Sequence, residues 1–313
     1  MKYRTLGKTG FEVSEIGFGA WAIGGNAFGN SYGSTRDSDS LKALEKALTL
    51  GCNFFDTADV YGHGHSEEIL ARILGGRRQN VFVATKVGAD FYQSPLKLNF
   101  SPKYIRSACE KSLQRLNTTY IDLYQLHNPP NYLLQSDEIF EPLYELKKEG
   151  LIRAIGLSIF HPEEGLDAIK RGHVDCIQVV YNILNRQAGK ELLPAARERN
   201  IGIIAREPLQ NALLTGKFKG SESFEEGDIR YGWSVQYFNH MVKFASDLKE
   251  LLHNDNRTLT QAALQFVLAQ PAVSTVIPGM KNTNQVKENL KTTNLPPMTE
   301  KELSRIIQNL MRH

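Results

Sequence analysis

Cysteine is scarce in this 313-residue chain: there are three, Cys52, Cys109 and Cys176, far apart. Such a set supports neither a disulfide framework nor a zinc site, and each is expected as a small core residue. The eight histidines are dispersed as well, so no metal is expected. No apolar run approaches a membrane span, and no signal peptide is visible at the polar start. The expectations are no membrane partner and a cytoplasmic location. An excess of one charge is also lacking: Lys and Arg number 37 and Asp and Glu 34, with no dense basic face. That argues against a nucleic-acid partner. What remains is ordinary globular composition, 41% hydrophobic and 23% charged, enough core for one large domain or two smaller ones.

Residues 2 to 14 read as a β-hairpin, with Tyr3 to Leu6, a turn at Gly7 to Gly10, and Phe11 to Val13. A strand–helix unit then recurs eight times. Short apolar strands are expected at 15–19, 52–55, 81–85, 120–126, 151–157, 175–180, 201–205 and 273–277. Helices are expected at 38–50, 66–74, 102–116, 136–149, 162–171, 189–199, 236–253, 258–270, 282–290 and 299–311. Continuous rather than alternating apolar strands favour a parallel sheet covered on both faces. A closed eight-stranded (β/α)8 TIM barrel and an open doubly wound sheet both satisfy that. Eight repeats and polar residues at successive strand ends favour the barrel, an α/β fold with an N-terminal hairpin and extra C-terminal helices, as a single domain over residues 1–313.

Three strands close abruptly on ionisable groups. Asn53-Phe54-Phe55-Asp56 runs into a polar turn holding Tyr61, Val81 to Thr85 is followed by Lys86, and Asp122 to Leu126 by His127. On parallel neighbouring strands these four meet at one rim. Tyr61 is the candidate general acid. An ordinary phenol titrates near 10, too high for an efficient shuttle, and a buried ammonium beside it lowers that value. Lys86 is placed to be the ammonium, Asp56 to orient it, and His127 to align a substrate oxygen. The set suits protonation of a carbonyl oxygen while another group attacks the carbon. Lys86 as a Schiff-base lysine of an aldolase or isomerase is a competing reading.

The order Asp56, Tyr61, Lys86, His127 resembles the tetrad of the aldo-keto reductases. The resemblance extends to Gly17-Phe18-Gly19-Ala20-Trp21, Phe55-Asp56-Thr57-Ala58, Tyr61-Gly62, Ser66-Glu67, Gly156-Leu157-Ser158, Leu213-Leu214-Thr215-Gly216-Lys217 and Ile277-Pro278-Gly279 with Gln285, Glu288 and Asn289. It implies the eightfold barrel and reduction of an aldehyde or ketone with NADPH or NADH, and NADPH is the expected coenzyme. It also implies a nicotinamide coenzyme bound without a Gly-x-Gly-x-x-Gly fingerprint, and none opens a helix here. By the same resemblance Ala20 and Trp21 border the nicotinamide, and Ser158 and Gln178 hold its carboxamide. Lys217 is placed for the pyrophosphate, and Gly279 to Asn289 for the adenosine. There Lys281 is the expected 2′-phosphate partner, and Gln285 and Asn289 face the adenine. The family also includes potassium-channel β subunits, so a regulatory subunit that reports redox state to a protein partner is the alternative.

Two positions leave the family pattern. Ile159 stands where Asn is usual, and Arg206-Glu207-Pro208-Leu209 where Tyr-Ser-Pro-Leu is usual. A guanidinium can lie flat on a ring. Neighbouring side chains on an extended segment diverge, so Glu207 is not expected to pair with Arg206. That predicts an arginine ordered only when cofactor is bound and an oxidised coenzyme held less tightly than the reduced one. Aromatic residues on rim loops, Trp21, Phe28, Phe91 and Phe160, suggest an apolar pocket. Trp233, in the long loop from Leu213 to about Gln236, is expected to close over the cofactor or line that pocket. Substrate contacts are thus expected from Trp21, Tyr61, His127 and Trp233.

Overall fold

The computed structural model describes residues 1–29, 31–252 and 256–310. A hairpin comes first, β1 (Tyr3–Thr5) paired antiparallel with β2 (Glu12–Ser14). The strands that follow are β3 (Phe18–Gly19), β4 (Phe54–Asp56), β5 (Phe82–Val87), β6 (Ala89–Asp90), β7 (Lys97–Leu98), β8 (Ile121–His127), β9 (Ile152–Ser158), β10 (Cys176–Val180), β11 (Gly202–Arg206) and β12 (Val273–Val276). Eight of them form one sheet in the order β3-β4-β5-β8-β9-β10-β11-β12, parallel throughout. The sheet closes on itself through parallel bridges from Ile16 to Val276 and from Gly19 to Gly279. This is the barrel, with helices outside, and all eight strand C-termini point to one rim.

Closure brings β3 close to both of its neighbours. A Cβ on Gly17 would meet the Phe54 ring at 2.8 Å, and one on Gly19 the Ile277 carbonyl oxygen at 2.7 Å. At both positions the neighbouring chain passes too close for a side chain.

The hairpin plugs the opposite end. Leu6, Phe11 and Val13 are buried in one cluster with Phe54, Ala84, Leu123, Ala154, Cys176, Ile204 and Ile277. These come from successive strands and fill the barrel floor. A second, larger cluster joins the outer strand faces to the helices. The three cysteines are free and buried, as core residues.

Most elements lie within two residues of expectation. The expected helix 136–149 is instead a 3-10 turn, Asp137–Ile139, and a helix, Glu141–Lys148. Pro142 sits in the first turn of that helix, where a missing N–H costs nothing. The expected helix 189–199 shortens to Leu192–Glu198, and the small hairpin β6–β7 has no counterpart in the sequence reading. The expected helix ends at 253 and 311 lie outside the described residues. No helix among the described residues is long and apolar enough to cross a membrane.

Candidate active site

Asp56 ends β4, Lys86 lies near the end of β5 and His127 ends β8. These strands are adjacent in the sheet, so the rim brings their side chains together. Tyr61 enters from the turn after β4. That turn needs Gly62 at φ 60°, and a Cβ there would sit 2.0 Å from the Gly24 carbonyl oxygen. Only glycine admits this approach.

Lys86 Nζ is the hub. It donates to Asp56 Oδ1 at 2.6 Å, to the Thr57 carbonyl at 2.8 Å and to the Tyr61 hydroxyl at 3.2 Å. It is fully buried. Burial works against its charge, but Asp56 and Tyr61 outweigh it and its pKa stays above the ordinary lysine value. A Schiff-base lysine needs a neutral amine, so this environment opposes the aldolase reading. For Tyr61 the balance reverses. Burial raises the phenol's pKa more than Lys86 lowers it, and the net shift is upward. The sequence expectation held the Lys86 contribution but not the larger desolvation. The His127 ring stands edge-on to Tyr61 with centroids 5.9 Å apart. Burial, aided by Lys86 and Arg206, holds His127 well below the ordinary histidine value, so it is neutral. Trp21 stacks on Tyr61 with ring centroids 5.9 Å apart.

Asp56 Oδ2 faces two amides that complete its shell, Gln178 Nε2 at 2.7 Å and Gln125 Nε2 at 3.2 Å. The sequence reading missed Gln125. A signal existed: it is a polar residue two before His127 on one apolar strand, hence on the same face. Behind Lys86, the buried Glu67 accepts from Thr85 Oγ1 at 2.6 Å and Arg115 Nε at 2.7 Å. Asp59, also buried, has no well-formed hydrogen bond to either carboxylate oxygen among the described residues. Burial first and Glu67 second push its pKa well up, against opposing contributions from Arg115, Val60 N–H and Lys86.

Ser158 and Gln178 are register partners on β9 and β10, both almost fully buried. Ala20 is buried at the rim, and its carbonyl accepts from Ser66 Oγ at 2.9 Å. Arg206 pairs with Glu207, which the extended alternation did not predict. Its Nη1 pairs with Glu207 Oε1, and Nη2 donates to the Ile159 carbonyl at 3.1 Å. Glu207 has φ 53°, and this left-handed residue breaks the extended alternation that would have turned the two side chains apart. Arg206 is therefore paired with its own neighbour. Its Nε alone is buried without a partner among the described residues. The following Pro208 and Leu209 lead into a run of left-handed residues, Gln210, Asn211 and Ala212, anchored by Asn182 Nδ2 on the Glu207 carbonyl at 2.9 Å and on Gln210 Oε1 at 2.7 Å.

Farther out, three loops meet. Lys281 Nζ donates to the carbonyls of Tyr32 and Gly33 at 2.7 and 3.2 Å. Burial, then Arg230, brings Lys281 down to about 8. Lys217 is lowered by burial and by Arg230, and Asp228 binds Arg230 at 2.6 Å. Gln285 Oε1 accepts from Lys281 N at 2.7 Å. Asn289 is buried on the same helix, and the Glu288 carbonyl accepts from Gln261 at 3.1 Å. Gly279 lies on the closing bridge to Gly19. The Trp233 ring packs edge-on against Phe224 of the long loop and Tyr237 of the helix that follows it, at 5.8 and 5.6 Å. Among the described residues no three His, Cys, Asp or Glu side chains gather as a metal-binding group.

A family model described as "Aldo/keto reductase family" matches residues 15–309. The chain is 33% identical over 312 residues to the uncharacterized oxidoreductase YqkF of Bacillus subtilis, covering 97% of this chain and 94% of that one. It is 32% identical over 311 residues to an NADH-specific methylglyoxal reductase of Escherichia coli, covering 94% of each. The holo form of aldo-keto reductase AKR11C1 from Bacillus halodurans superposes with a TM-score of 0.83 at 32% identity, over 99% of this chain and 96% of that one. None of these supports the redox-reporting subunit.

Proposed function

The chain belongs to the aldo/keto reductase family, oxidoreductases acting on carbonyl compounds, and on that premise we propose that it is an NADPH-dependent reductase of aldehydes or ketones in which Tyr61 donates the proton. The observation that carries this is the buried Lys86 ammonium, 3.2 Å from the phenol and 2.6 Å from Asp56. A phenol held there by a cation is poised to give up its proton to an oxygen gaining negative charge. The nascent alkoxide is a stronger base than phenolate, so transfer runs downhill even from a phenol of raised pKa. Lys86 then stabilises the phenolate left behind. Neutral His127 offers a ring nitrogen to align the carbonyl oxygen, and Trp21 and Tyr61 wall the substrate.

The outer residues fit a nicotinamide coenzyme. Lys217, Arg230 and Lys281 influence one another around the carboxylate of Asp228, with Glu222 also acting on Lys217, an excess of positive charge that a phosphate would neutralise. Ser158 and Gln178 would hold the carboxamide, Ala20, Trp21 and Arg206 the ring's surroundings, and Pro208 and Leu209 the backbone wall beside it. Lys217 would meet the pyrophosphate, Lys281 the 2′-phosphate, and Gly279, Gln285, Glu288 and Asn289 the adenosine. When bound, the coenzyme supplies the hydride.

The test is Tyr61→Phe, assayed with a panel of aldehydes and ketones and titrated with coenzyme. Coenzyme affinity should persist while reduction falls about 10²–10⁴-fold, the usual contribution of a general acid. Near-native turnover in the Phe variant would reject the assignment.

A further inference from the structure

Three donors converge on Asp56. Lys86 takes Oδ1, while Gln178 Nε2 and Gln125 Nε2 share Oδ2 at 2.7 and 3.2 Å. Gln178 Nε2 also reaches Gln125 Oε1 at 3.5 Å. The carboxylate and both amides are 2% exposed or less. An ionised carboxylate only accepts hydrogen bonds, so each amide must turn its nitrogen toward it. Gln125, oriented in this way, offers its oxygen to the second N–H of Gln178. Gln178 is thus held at both hydrogens, and its carbonyl oxygen is turned away from Asp56 as an acceptor.

The barrel makes room for this arrangement. Gln125 is the register partner of Gly156 on β9. A Cβ on Gly156 would lie 2.6 Å from Gln125 Cγ. Gly156 is not among the positive-φ glycines, so space rather than backbone conformation requires it. Leucine or methionine would fill the volume at Gln125 without a buried polar group to satisfy. The amide, the neighbouring glycine and the carboxylate form one built unit.

We propose that Gln125 is a positioning residue for the reduction. It locks the Asp56 carboxylate that holds Lys86 against Tyr61, and it fixes the amide orientation of Gln178 so that an oxygen faces the N–H group of the nicotinamide carboxamide. Gln125 thereby couples the seat of the coenzyme to the proton-donating pair. The inference rests on the reductase reading above and concerns residues that act through others.

The decisive variant is Gln125→Met, which keeps length and stem but donates nothing. Two quantities are read: the dissociation constants of the reduced coenzyme and of its 3-acetylpyridine analogue, in which a methyl replaces the amide nitrogen, and the steady-state kcat and KM. The native protein should prefer the carboxamide coenzyme about tenfold, the scale of one buried hydrogen bond. In the Met variant that preference should shrink to under about threefold, with kcat down about tenfold and the carbonyl KM unchanged. Gly156→Ala, which displaces the Gln125 stem, should move both readings the same way. Tyr61→Phe tested in parallel should lose turnover and keep the discrimination. If it keeps turnover instead, the reductase reading fails while the binding measurements still decide Gln125. A native protein without the preference, or a Met variant that retains native discrimination and kcat, overturns the proposal, even if its melting temperature falls.

Discussion

Tyr61 is surrounded by opposing influences, and their order decides its behaviour. Burial outweighs Lys86, so the phenol stays protonated through neutral pH, and His127 stays neutral because burial and two cations oppose its charging. Neither group changes state around neutrality. The kcat for reduction should therefore be flat from about pH 6 to 9 and fall only where the phenol ionises, above its ordinary value near 10. A pH–rate profile with a break near 6.5 would show that His127 titrates during turnover. Asp59 has an opposite consequence for stability. Its folded pKa is raised, so the unfolded chain releases this proton first as pH rises. Stability from the protonated form is complete below about pH 4, the unfolded value, and is lost as pH climbs toward the folded one. Asp59→Asn should accordingly melt higher than the native protein at pH 8, with the gap closing toward pH 4, as thermal unfolding at several pH values would reveal.

Among elements, the clearest dependence is that of helix His65–Leu74 on helix Pro102–Arg115. Glu67 of the first is fully buried and is neutralised by Arg115 of the second at 2.7 Å. Its other oxygen is bound to Thr85, next to Lys86 on β5. Removing the cation leaves a buried carboxylate with one hydroxyl. Arg115→Ala should cost about 3–5 kcal/mol, the usual consequence of breaking a buried pair from one side, read as a lower denaturant midpoint. A loss under about 1 kcal/mol would mean that water replaces the guanidinium. The helix periods that placed these elements were legible because amphipathic faces repeat along the chain. The break near residue 140 had a signal in Pro142, which opens the second helix, but its exact place was not legible. It depends on how Phe140 and Leu143 find the barrel wall, where both are buried.

At the scale of the molecule, coenzyme choice depends on loops that are remote in sequence. Lys281 reaches the Tyr32 carbonyl, and Arg230 approaches the same atom at 3.5 Å. Lys281→Ala should weaken NADPH about tenfold or more and spare NADH, as one charge-assisted hydrogen bond predicts. Equal weakening of both, measured by titration, would assign Lys281 to holding the segment around Tyr32 instead. The relative named as NADH-specific makes this measurement informative, since family membership leaves the coenzyme open.

By itself the chain's residue order determined the repeating strand–helix unit, the parallel character of the sheet and the ionisable strand ends. Each of these is a local pattern of apolar runs, caps and polar terminations, and such patterns survive without knowing what packs where. The hairpin was equally plain, though not its work as a floor plug. Only the tertiary structure decided that Gln125 and Gln178 share Asp56, because contacts across a barrel depend on register and on a missing Cβ at Gly156. It alone decided the direction of the Tyr61 shift, since desolvation is a property of everything around a group rather than of its neighbours in sequence. It also turned Arg206 onto Glu207, where one left-handed residue overrode the alternation of an extended chain.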